Sequence, residues 1–347
     1  MKTAAAVLVE TGKPLVLVEL EIPPLKAGQV LVEIAFSGVC HTQLLEWRGY
    51  RGKDPNLPHC MGHEGSGFVR EVGPEVTKVR VGDPVILSWM KGSGTESGGT
   101  TYRWADQMVN AGAITTFSRH SVISENRLTI LPAGISLRQA ALLGCAVATG
   151  VGAVCNTASA KPGQSIAVFG VGGVGLCAVA GAVVAGCSPI IAIDVRETRL
   201  AVAKRMGATH CINASTVDSL KVISDICRGR LDCAVEVTGR PQVMAQAFSS
   251  VRPQGGVAVI VGNARADERL ELDPKQFNLG KRLLGTWGGD NWPDRDFPHY
   301  CELVANGKIN IEFLLSRSYD LKDINRALHD LETGEAVRPL VDMTLDC

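Results

Sequence analysis

The sequence predicts an α/β protein in two parts, a β-rich first third and a later doubly wound parallel sheet. Three observations carry this. Gly170-Val171-Gly172-Gly173-Val174-Gly175 follows a strand candidate and opens a helix candidate. Strand and helix patterns alternate regularly from about residue 146. Before that point, short apolar runs bounded by Gly and Pro read as strands with few helices between them.

The early strand candidates are 30–39, 65–73 and 83–89. Residues 90–116 carry Gly, Ser and Thr without periodicity and read as one long loop. In the alternating region, 165–171 is a strand and a helix starts at Val174. Strand 189–195 is followed by helix 197–208, and strand 231–239 by helix 241–251. Strand 255–262 comes next, and 281–289 reads as a further strand. Such runs predict buried parallel strands flanked by helices. A last helix spans 320–335, with Asp320 as cap, Gly334 as stop, and Ile324, Ala327, Leu328 and Leu331 on one face.

Composition bounds the function. At 347 residues the chain has room for about two domains. Lys+Arg and Asp+Glu are both 35, so the formal charge is zero and there is no basic stripe. That argues against nucleic acid or an anionic membrane as main partner and favours a small molecule. Eleven scattered cysteines make a poor disulfide framework and point to reduced thiols in a cytoplasmic enzyme. The opening segment lacks a long apolar core, so no signal peptide is expected, and Gly170–Ala185 is too short to span a membrane.

The glycine motif is informative because of its flanks. Gly170, Gly172, Gly173 and Gly175, with Val174, allow a tight turn and bring backbone N–H groups near a pyrophosphate at a helix N-terminus. Asp194 ends the next strand, where a carboxylate accepts from ribose hydroxyls and repels a 2′-phosphate. NAD is therefore the expected cofactor, although Arg196 and Arg199 beside it are able to meet a phosphate.

Three further segments stand out: Cys40-His41-Thr42, Gly62-His63-Glu64-Gly65 and Gly144-Cys145-Ala146-Val147-Ala148-Thr149-Gly150. Singly, each has a bland reading as a buried thiol or a core histidine. Together, with GDPVI, ENRLTILP and GEAVRP in the same order, they make nearly the whole chain resemble the zinc-dependent medium-chain alcohol dehydrogenases.

The resemblance implies a GroES-like β-rich catalytic domain, residues 1–146 and 288–347, around a Rossmann domain, 147–287. It implies Cys40, His63 and Cys145 as ligands of one catalytic zinc, a Cys₂His set that leaves a fourth position open. Thr42 would take the alcohol proton, and Glu64 would act on a ligand from behind. Thr149 would lie beside the nicotinamide, with helix capping as the bland alternative. His41 and Arg338 would face the pyrophosphate. A homodimer is a family-level expectation, with a tetramer as the alternative.

Three departures qualify it. Many relatives carry four clustered cysteines after the GDPVI strand, whereas residues 90–116 hold none, so one zinc per subunit is expected. Gln43 stands where relatives place an Asp that supports the histidine ligand; its carbonyl is able to accept the same bond. Leu45 replaces a His that relays the proton to solvent, leaving water, Glu46 or another group to finish the relay.

Trp47, Tyr50, Arg51 and Trp89, with Trp287 and Trp292, suggest a bulky or aromatic substrate wall. The leading reading is an NAD-linked zinc alcohol dehydrogenase interconverting an alcohol with an aldehyde or ketone. Alternatives are a polyol, amino-alcohol or thiol-adduct dehydrogenase on the same scaffold, or a non-catalytic nucleotide-binding member.

Overall fold

The computed structural model describes residues 1–315 and 317–345. The chain divides into two compact units. The first comprises Met1–Cys145, Trp292–Asn306 and Ile311–Cys347; the second comprises Ala146–Asn291 and Gly307–Asn310.

The spine of the first unit is the ten-residue strand Gln29–Gly38, buried along almost its whole length. Burial on both faces explains why it reads as an apolar run rather than an alternating one. It pairs antiparallel with Glu64–Val72, His120–Ser124 and Leu340–Asp342. Glu64–Val72 pairs in turn with Pro84–Ser88. A closed barrel of Lys2–Leu8, Val16–Glu21, Thr100–Trp104, Gln107–Gly112 and His59–Cys60 completes the β structure.

Two barrel strands overturn the expectation of one loop over 90–116. Thr100–Trp104 and Gln107–Gly112 pair with each other. Their inward positions are Thr100, Tyr102, Val109 and Ala111, a mixed set that hides the alternation. Tyr102 is fully buried, and its hydroxyl accepts from the Val122 N–H at 2.8 Å. The preceding stretch has no strand and is held by side chains of other segments. Glu125 accepts from the Thr95 N–H, Asp294 from Ser93, and Ser124 from Ser97, and Glu125 also ties in the N–H groups of Thr77 and Lys78.

The C-terminal helix runs Ile324–Thr333 and buries Ile324, Ala327, Leu328 and Leu331. Gly334 ends it at φ 77°, a conformation that favours glycine. Asp320 caps a preceding 3₁₀ turn, Leu321–Asp323, rather than the helix itself.

The second unit is a six-stranded parallel sheet. Its order is His210–Asn213, Ile190–Asp194, Ile166–Phe169, Cys233–Glu236, Val257–Ile260, Arg282–Gly285. The strand His210–Asn213 and the helix Ser219–Cys227 add to the elements that the sequence predicts. The strand is an edge with two exposed residues of four, so it lacks the apolar run of its neighbours. The order reverses between Ile166–Phe169 and Cys233–Glu236, the place where open α/β sheets bind ligands.

Among the described residues, one helical stretch, Leu137–Thr157, is long and apolar enough to cross a membrane. Its most apolar window is 83% buried inside the protein, which fits a core helix. It contains two π turns, Leu143–Val147 and Ala153–Thr157.

Candidate active site

The first unit brings Cys40, His63 and Cys145 together. One potential ligand atom from each lies within 4.8 Å of the others. Cys40 follows the spine strand and N-caps the helix His41–Trp47. His63 sits between the Gly62 turn and the strand Glu64–Val72. Gly62 has φ 93°, and a Cβ there would lie 2.8 Å from the Phe117 nitrogen, so the turn needs glycine. Cys145 lies within a π turn, a local widening that recurs at functional sites. That turn is pinned where Ser88 Oγ donates to the Gly144 carbonyl at 2.6 Å.

The arrangement fits a metal ion. His63 Nε2 is buried without a hydrogen-bond partner. An orphaned buried imidazole nitrogen among thiols is unfavourable unless something occupies the space between them. Two thiolates and an imidazole are the donor set of a tetrahedral zinc with one open position. A hydrogen bond from Cys145 holds the Cys40 thiol well below the ordinary thiol range; burial opposes this, and Arg338 and His63 assist. The same bond, together with burial, pushes the Cys145 thiol well up.

Behind the cluster, Glu64 is fully buried and receives a hydrogen bond from Arg338, itself 3% exposed. Gly38 makes room for this carboxylate, since a Cβ there would run into Glu64 Oε1. Arg338 is thus buried and donates to Glu64, its Nε has no partner, and Glu64, Cys40 and Cys145 hold its charge firmly against burial. Thr42 Oγ1 lies 3.7 Å from Cys40 Sγ, and His41 is exposed at the start of the same helix.

Gln43 faces both a ligand and a backbone group. Its Oε1 accepts from the Cys40 N–H at 2.6 Å. Its Nε2 lies 2.7 Å from His63 Nδ1. The carbonyl expected to support His63 is therefore engaged elsewhere, because a backbone N–H accepts nothing and demands the oxygen.

A cavity of about 480 Å³ adjoins His63 and Gln43. Its lining includes Glu46, Arg51, Lys53, Asn56, His59 and Asn110, and no tryptophan. Of the residues expected to wall the substrate, Arg51 lines this cavity and Trp47 does not. Trp47 is 6% exposed and part of the core, with its ring N–H on the Lys13 carbonyl at 2.6 Å. Trp287 and Trp292 are exposed. Cys60 lines the same cavity, its thiol pushed up to about 12 by burial. Each of the ten described cysteines is free, and Cys347 lies outside the described residues.

In the second unit the glycine turn joins the strand Ile166–Phe169 to the helix Gly173–Val184. Gly170 has φ 87°, and a Cβ on Gly175 would collide with the Gly170 carbonyl. A Cβ on Gly172 would meet nothing within 4 Å, so open space lies against the backbone at the helix start. Gly172 is the N-cap and provides no side chain, so the N–H groups of Gly173, Val174 and Gly175 remain for an anion. Asp194 is 7% exposed and accepts from Val171 N–H at 2.9 Å and Arg196 N–H at 3.0 Å. Arg199 Nη1 stands 3.7 Å from Asp194, and its Nε is buried without a partner. Thr149 Oγ1 is likewise buried and unpartnered, and Thr149 caps no helix, since Val147 is the N-cap there.

Residues 26–133 match the alcohol dehydrogenase GroES-like domain, and 173–306 match the zinc-binding dehydrogenase domain. The chain belongs to the zinc-dependent medium-chain alcohol dehydrogenase family. It is 35% identical to the S-(hydroxymethyl)glutathione dehydrogenase of Synechocystis sp., over 98% of this chain and 100% of the relative. It is 33% identical to the class-P alcohol dehydrogenase of Arabidopsis thaliana, over 99% and 98%. The benzyl alcohol dehydrogenase of Acinetobacter calcoaceticus superposes with a TM-score of 0.90 at 30% identity, over 99% of this chain and 100% of that one. Membership fixes the dehydrogenase class and the GroES-like and Rossmann halves of the fold.

Proposed function

We propose that the chain oxidises an alcohol to an aldehyde or ketone, and runs the reverse, with NAD and one catalytic zinc per subunit. The observation that carries this is the orphaned His63 Nε2 beside two cysteine sulfurs. Bound zinc supplies Lewis acidity to a hydroxyl, and NAD accepts the hydride. Cys40, His63 and Cys145 would hold the metal. Thr42 takes the hydroxyl proton, and the half-buried Glu46 offers an exit through the cavity in place of the histidine that Leu45 replaces. Glu64, locked by Arg338, sets the charge behind the ligands. Asp194 and Arg199 hold the ribose, the 170–175 turn receives the pyrophosphate, Thr149 offers its hydroxyl to the nicotinamide, and His41 faces the pyrophosphate.

The polar cavity favours a hydrophilic substrate over an aromatic one. Arg51, Lys53, Asn56 and Asn110 offer donors to a polyol or a thiol adduct, and two relatives are named for such an adduct. Purified protein is expected to hold zinc and to reduce NAD. Cys40→Ala and His63→Ala are expected to lose both zinc and turnover; activity surviving in either variant contradicts the assignment. S-(hydroxymethyl)glutathione or a polyol should exceed benzyl alcohol in kcat/KM by about tenfold or more, since each hydrogen bond to a charged donor of the cavity that benzyl alcohol does not make is worth about 1.5–3 kcal/mol. The reverse preference sinks the substrate reading alone.

A further inference from the structure

The contacts of Gln43 set up a conflict with metal binding. Cys40 N–H donates to Gln43 Oε1 at 2.6 Å, which turns the amide NH₂ toward His63 Nδ1 at 2.7 Å. With Nδ1 accepting from that NH₂, the hydrogen of a neutral imidazole sits on Nε2. Nε2 is the nitrogen that lies orphaned among the sulfurs. A ligating nitrogen must present its lone pair, so the ring hydrogen would then sit on Nδ1 and point at the amide NH₂. Two donors cannot share that contact. Gln43 is 1% exposed and in direct contact with both groups, so the amide itself must turn to resolve the clash.

Resting on the zinc-site reading above, we propose that Gln43 is a two-position residue whose carbonyl leaves the Cys40 N–H for His63 Nδ1 when zinc binds. The Cys40 N–H then loses its acceptor, and that loss weakens metal affinity relative to a carboxylate. A carboxylate at position 43 has two acceptor oxygens and serves both N–H groups at once. Gln43 is thus a positioning residue that trades tight metal retention for a more electrophilic centre, because a neutral partner leaves the imidazole a poorer donor.

The test uses the full chain, zinc alone, and the isosteric variant Gln43→Glu. Zinc affinity is measured by chelator competition, and exchange of the Cys40 amide is followed by NMR in ¹⁵N-cysteine-labelled protein. Gln43→Glu is expected to bind zinc about 10–100-fold more tightly, the range seen for groups behind metal ligands. One equivalent of zinc should speed Cys40 amide exchange in the wild type and leave it unchanged in Gln43→Glu. The exchange readout separates bond geometry from the added charge, and the wild-type half stands even where the variant folds poorly. A Cys40 amide equally protected with and without zinc overturns the proposal, as does a variant that binds zinc no better. Failure of the wild type to bind zinc at all overturns the metal-centre reading itself.

Discussion

Arg338 and Glu64 are the residues on which the metal site leans without their being ligands. Both are buried, and each is the other's counter-charge. Removing one partner of such a pair leaves an uncompensated charge and costs about 3–5 kcal/mol. Arg338→Leu is therefore expected to lower the denaturant midpoint sharply and to release zinc, both read on one protein sample. Zinc retained at full stability would show that the pair is dispensable. Gly38→Ala attacks the same carboxylate by volume, since the new methyl occupies the place of Glu64 Oε1. A loss of about 1–3 kcal/mol is expected from such overpacking, measured by urea unfolding. At Asp194, removal of the carboxylate withdraws charged hydrogen bonds from the ribose, each worth about 1.5–3 kcal/mol. Asp194→Ala should raise KM for NAD about ten- to a hundredfold and narrow the gap to NADP. An unchanged KM ratio would place the ribose elsewhere.

Among the elements, the stretch between Pro84–Ser88 and Thr100–Trp104 shows what stands in for clustered cysteines. Lys91 and Arg127 meet Glu96, Asp294 takes Ser93, and Glu125 takes the Thr95 N–H of this stretch together with those of Thr77 and Lys78 before Pro84. Burial alone would raise the Glu125 carboxyl, but the N–H groups of Thr95, Lys78 and Thr77 outweigh it and hold it below the usual range. A carboxyl lowered in the folded state stabilises the fold above its unfolded value, about 4.3, and that contribution fades as pH falls through the lowered folded value. The stretch should therefore loosen on acidification below about pH 4, before the sheets melt. Limited proteolysis across a pH series reads this. Glu125→Gln should show the same cleavage at neutral pH, with about 2 kcal/mol lost. A protease-resistant variant would mean that the anchor lies elsewhere.

At the scale of the whole molecule, legibility followed burial. The inner parallel strands Ile166–Phe169, Ile190–Asp194 and Cys233–Glu236 and the spine strand are buried on both faces, so their apolar runs stand out in the sequence. His210–Asn213, Thr100–Trp104 and Gln107–Gly112 present polar or exposed faces and were absorbed into loops. The motif residues were legible because cysteine, histidine and glycine are needed at those places for chemistry or backbone geometry. What joins Arg338 to Glu64 was not legible, since 274 positions separate them. The cavity lining was misread for a related reason. Trp47 lies close in sequence to Arg51, but its helix turns the indole into the core while Arg51 stays on the cavity. Gln43 was legible as a departure, yet the direction of its amide depended on the Cys40 N–H.

The claim beneath all of this is a single zinc held by Cys40, His63 and Cys145. Zinc per chain, measured on the wild type and on Cys145→Ala purified side by side, tests it most directly. One equivalent in the wild type and none in the variant, with NAD reduction lost in step, is the predicted result. A second equivalent in the wild type, or zinc retained without Cys145, would contradict it.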